Sequence, residues 1–155
     1  MSASSIFTVI VSRVQGHSQT SSYYVRDEWG SDLNDKHFRA GVIELEPDPD
    51  GYTVLLDHQG DGCERVKHQY RARLWRSSKT RRVATGLVQD MADDLMNSLQ
   101  STNDNLETNH VIRGQMRFEP IRLEVKKDAE LSADFNVVTG VLKFSVQEYQ
   151  DPGAR

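Results

Sequence analysis

The sequence predicts an α+β fold, a largely antiparallel sheet with one long amphipathic helix packed on a face and a short N-terminal helix. Three observations carry this expectation. Strand-like runs outnumber helical ones, a single stretch from Ser77 to about Gln100 has clear helical periodicity, and the strand candidates flank that stretch instead of alternating with further helices. At 155 residues one core is the default, so residues 1–155 are read as a single domain.

Near the N-terminus, Ile6, Val9, Ile10 and Val14 recur at helical spacing and Ser4 or Ser5 supplies a cap. The β-branched run Thr8 to Val11 fits a strand as well, and helix is the preferred reading. From Gly16 to Phe38 the chain is rich in Ser, Gly, Asp and Asn, with Tyr23, Tyr24 and Trp29 scattered through it. This 16–38 segment reads as a long irregular loop or arm whose aromatics order against neighbouring chains on assembly.

Val42 to Glu46 and Tyr52 to His58 are short strand-like runs separated by Pro47-Asp48-Pro49-Asp50-Gly51, which predicts a β-hairpin. Between Arg65 and Arg76 the apolar set Val66, His68, Tyr70, Ala72 and Leu74 alternates with Arg65, Lys67, Gln69, Arg71, Arg73 and Trp75, a strand with one core face and one basic face. Ser77 or Ser78 then caps the long helix, in which Val83, Leu87, Val88, Met91, Leu95 and Leu99 form the apolar stripe. Gly86 interrupts it and suggests a kink or a close approach to the sheet. Three strands are expected after the helix, at Val111 to Phe118, Ile121 to Lys126 and Phe135 to Tyr149.

The hydrophobic fraction of 37% is lean, which suits a modest core or a surface covered in an assembly. No apolar run approaches the ~20 residues that span a bilayer, so no membrane role is expected. The one cysteine, Cys63, excludes an internal disulfide framework and suggests a reducing setting.

Chemistry-bearing patterns are sparse. Asp48 to Gly51 and Asp57 to Asp61 lack the spaced ligands and terminal Glu of a calcium loop. The five histidines have no metal-ligand spacing. Asp90, Asp93 and Asp94 lie off the apolar stripe and read as a solvated helix face. Nucleophile-elbow, phosphate-loop and dinucleotide motifs are missing. The expectation is therefore a protein that is not an enzyme, with no catalytic residues, cofactor or metal, acting through other macromolecules.

Charge distribution points the same way. The net charge is −4, yet Arg65 to Arg82 holds eight basic residues and no acidic one, which leaves eleven basic against 23 acidic residues elsewhere, a net −12. Arg65, Lys67, Arg71, Arg73, Trp75, Lys79, Arg81 and Arg82 are the candidate partner-binding or lumen-facing residues. The alternative is an edge strand kept soluble by Lys and Arg.

The strand Gln69 to Leu74, the helix through Met91-Ala92-Asp93-Asp94-Leu95-Met96 and the ending Gly140-Val141-Leu142-Lys143-Phe144-Ser145-Val146 together resemble tail terminator proteins of long-tailed bacteriophages. The similarity spans mainly Tyr70 to Tyr149 and rests on element order and a closing Leu-x-Phe-x-Val strand; the 16–38 segment departs from it. The resemblance implies a virion protein of the tail or neck, made in the host cytoplasm. It would form a homo-hexameric ring that caps the tail tube protein, joins the head-tail connector protein and transiently meets DNA in its lumen. The alternatives are another phage neck, connector or tail-tube component, or a small nucleic-acid-binding module.

Overall fold

The computed structural model describes residues 3–30, 33–49, 54–58, 64–100, 110–117 and 136–150. Helix α1 spans Ala3–Gly16. Ile6, Ile10 and Val14, four residues apart, are buried on one face, and the helix packs on a second, longer helix. That face is why helix prevails over the local β-branched preference of Thr8 to Val11. The Thr20 hydroxyl, fully buried, donates to the Val14 carbonyl at 2.5 Å and satisfies an acceptor at the helix end.

Strand β1 (Tyr24–Arg26) pairs in parallel with β2 (Val42–Pro47), with Tyr24 opposite Val42 and Arg26 opposite Glu44. Between them lies the short helix α2 (Asp35–Ala40). Its cap is reciprocal: the Asn34 side chain accepts from the His37 amide while the His37 ring accepts from the Asn34 amide. Gly41 ends it at φ +96°, where a Cβ would sit 2.8 Å from the Tyr23 ring. Within the 16–38 segment, expected as an irregular arm, β1 and the beginning of α2 are set between turns.

The remaining elements are β3 (Val54–His58), β4 (Glu64–Ser78), α3 (Arg81–Gln100), β5 (His110–Arg117) and β6 (Asn136–Gln150). The sheet runs β1-β2-β4-β6-β5, with β3 also on β4, and every pair except β1–β2 is antiparallel. The expected hairpin is corrected here. β2 pairs with residues 70–75 of β4 and β3 with residues 64–67, so the two lie end to end along one edge of β4, running the same way. The Asp48 amide still donates to the Gln69 carbonyl at 3.1 Å. Prolines and an Asp-Gly pair interrupt a strand without dictating the direction in which the chain resumes.

Strand β6 follows the whole of β4 over fifteen residues, from Glu64 opposite Gln150 to Ser78 opposite Asn136. Ser77 and Ser78 therefore belong to this ladder and do not cap α3; Thr80 does, accepting from the Val83 amide at 3.2 Å. One sheet face carries Ile43, Leu45, Tyr70, Ala72, Leu74, Leu142, Phe144 and Val146 against α1 and α3. From α3 the core receives Ala84, Val88, Met91, Ala92, Leu95 and Leu99. Val83 is 52% exposed and Leu87 half-buried, so the stripe is rotated from the expected one toward the alanines, whose small side chains admit the sheet. Among the described residues nothing lies within 4 Å of a Cβ at Gly86, and those residues include the sheet strands beside α3, so a close approach to them is not its reason. The strand expected at Ile121 to Lys126 lies outside the described residues.

Candidate functional site: the outer face of the sheet

Side chains of a strand alternate between faces. The outer face therefore carries Arg26 of β1, Glu44 and Glu46 of β2, Arg71, Arg73 and Trp75 of β4, and Lys143 of β6. Register aligns them in rows: Arg26, Glu44, Arg73 in one, Glu46, Arg71, Lys143 in the next.

Glu44 is the centre of the first row and is fully buried. Its Oε1 accepts from Arg73 Nε at 2.8 Å and from Trp75 Nε1 at 2.5 Å. Its Oε2 accepts from the Gly30 amide at 3.0 Å and lies 3.2 Å from Arg26 Nε. Even its main-chain carbonyl is used, by Trp29 Nε1 at 2.9 Å. A buried carboxylate is costly unless paired and hydrogen-bonded, and here two guanidinium groups and two further donors meet that need. Glu44 fastens β1, β2 and β4 to the 29–30 segment.

Trp29 lies over the second row. Its ring sits 3.8 Å from the Arg71 guanidinium carbon and 4.6 Å from that of Arg73, close enough for cation–π attraction to both. Arg71 is also paired with Glu46, directly opposite it. Trp75 packs on Phe38 of α2 with ring centroids 5.5 Å apart.

These contacts redistribute the predicted site. Arg71, Arg73 and Trp75 are half-buried and engaged within the subunit. Lys67 is half-buried, whereas Lys79, Arg81 and Arg82 are exposed around the start of α3. The backbone places Arg65 opposite Asp57 and Tyr149; its side chain is outside the described residues. The edge-strand alternative fails because β4 is interior, between β2 with β3 on one side and β6 on the other. The aromatics of the 16–38 segment likewise have partners in their own chain. Trp29 is accounted for, and Tyr24, 41% exposed, stacks on His37 at 4.3 Å.

Tyr23 donates to Asp94 of α3 at 2.6 Å, and its phenol is pushed up to about 12 by burial first and the Asp94 carboxylate second. Asp94 is thereby part of the fold, while Asp90 and Asp93 are exposed. Asp48, buried, has its carboxylate 3.8 Å from Lys143 Nζ. Among the described residues no group of three or more His, Cys, Asp or Glu is placed to hold a metal ion, and no helix is long and apolar enough to cross a membrane.

Sequence reasoning missed Glu44, Glu46 and Arg26. Its available signal was the spacing Glu44-x-Glu46 against Arg71-x-Arg73, two pairs of opposite sign at the same alternate spacing, which lets each Glu stand opposite an Arg when the strands pair.

No protein-family model and no curated protein matches the chain. Among solved structures, it is similar to a chain of a structure described as the virion of a native gene transfer agent particle. The two are 13% identical with a TM-score of 0.46, over 91% of this chain and 93% of that one.

Proposed function

We propose that the chain is a structural virion protein, a ring-forming tail terminator that caps a phage tail tube and joins it to the head connector, with no enzymatic activity. What supports this reading is that the three segments carrying the resemblance, in β4, α3 and β6, form one packed unit. β4 and β6 make a fifteen-residue ladder and α3 lies across its inner face.

In this reading the ring closes through head-to-tail contacts, each subunit using two different surfaces. The cations left for a neighbour or for the lumen are Lys67, Lys79, Arg81 and Arg82, because Arg71 and Arg73 are used internally. An acidic remainder of −12 supplies complementary surface on the adjoining copy.

Native mass measurement of the purified chain alone and with assembled tail tubes tests the proposal. A hexamer, and caps at tube ends under electron microscopy, are expected. A monomer that ignores tubes, or one whose main activity is salt-dependent binding of DNA, overturns it in favour of a nucleic-acid-binding module.

A further inference from the structure

We infer that the outward face of α3 is a contact for a second copy of this chain, the two helices crossing antiparallel at Gly86. Three independent features of that face are unexplained within one subunit. First, its charges oppose the helix dipole. Arg81 and Arg82 occupy the first turn, Lys79 precedes it, no acidic residue lies in the first turn and no basic one in the last. Cations are disfavoured at a helix N-terminus. Second, Gly86 weakens the helix, and among the described residues nothing lies within 4 Å of the Cβ it lacks. Third, Val83 leaves its side chain 52% exposed beside it.

A neighbouring copy accounts for all three. Arg82, Gly86 and Asp90 are four residues apart and form one ridge on the outward side, where Arg82, Asp90 and Asp93 are exposed. Lay two such ridges antiparallel with the glycines at the crossing, and Arg82 of each copy falls beside Asp90 of the other, Lys79 beside Asp93. The missing Cβ lets the backbones come close, and Val83 is covered. Among the described residues the side chains of Lys79, Arg81, Arg82, Asp90 and Asp93 make no ion pair within the subunit, so they are available for this one. The contact is two-fold and closes on a pair. It does not depend on the head-to-tail ring proposed above, whose contacts would then draw on Lys67 and Arg81 and not on Lys79 or Arg82.

The test uses the full chain with Cys63→Ser, so that an engineered thiol is the only one. Gly86→Cys places two thiols at the crossing and should give a disulfide-linked dimer under mild oxidation, faster than Ser12→Cys on the exposed side of α1. Adding Arg82→Glu should slow the cross-link by about tenfold, since like charges then face each other twice. Adding Asp90→Arg to that variant should restore it. Gly86→Leu, whose Cβ meets no described atom of its own subunit within 4 Å, should keep the fold by circular dichroism and lose concentration-dependent association in sedimentation. Cross-linking at position 86 no faster than at position 12, or no restoration by the charge swap, overturns the inference.

Discussion

Glu44 on β2 and Arg73 on β4 stand directly opposite one another, the guanidinium Nε 2.8 Å from Oε1 of a carboxylate with no exposure to solvent. The pair converts the most basic stretch of the sequence from a bare surface into an internal fastening. Replacing Glu44 by Gln leaves Arg26 and Arg73 without their counter-charge and should cost about 3–5 kcal/mol in urea denaturation. A variant as stable as the parent would show that the cluster contributes nothing to holding the strands.

Trp29 makes two separable contributions. Trp29→Phe removes the hydrogen bond to the Glu44 carbonyl and should cost about 0.5–1.5 kcal/mol. Trp29→Ala removes the ring over Arg71 and Arg73 as well and should cost more. Both should raise hydrogen exchange at β1 and the following residues in the isolated subunit. Equal effects of the two variants would mean that the ring contacts are idle.

Within α3 the two leucines should differ. Leu95 is fully buried in the core, and Leu95→Ala should cost about 2–5 kcal/mol. Leu87 is only half-buried, so Leu87→Ala should cost clearly less. Thermal unfolding of the two proteins side by side distinguishes them, and the reverse order would contradict the rotation of the helix described above.

The Tyr23 phenol predicts a pH effect. Its folded value is raised from 10.0 to about 12, so the folded state holds the proton after the unfolded state has lost it. Its contribution is fully present below pH 10 and is lost as pH rises through about 12. The stability difference between the parent and Tyr23→Phe should therefore shift against the parent across that window. A constant difference would mean that the phenol titrates alike in both states.

Much of the sheet was legible because periodicity is a local property. The alternation in Arg65 to Arg76 placed β4 with its core and basic faces, the closing segment placed β6 by extent, and α3 was legible from its stripe to within a turn. The rotation of the stripe was not legible from its large side chains, because Ala84 and Ala92 are what the packing requires. The hairpin expectation failed because turn chemistry does not carry strand direction, and the contacts of the 16–38 segment were not legible because its partners lie far along the chain. Tyr23 finds Asp94, and Trp29 finds Glu44, Arg71 and Arg73. For the same reason the basic face could be located from sequence while its internal counter-charges could not.

The β4–β6 ladder also orders the folding of the chain in time. β2 and β3 precede β4 and are available as soon as it is made, but Ser78 waits for Asn136 and Glu64 waits for Gln150. Until β6 leaves the ribosome, β4 is a long strand with one open side, the kind of species that recruits other chains. Lys and Arg along such a strand act as gatekeepers against that pairing. The cations of β4 thus guard a nascent edge before Glu44 and Glu46 hold two of them in the finished sheet.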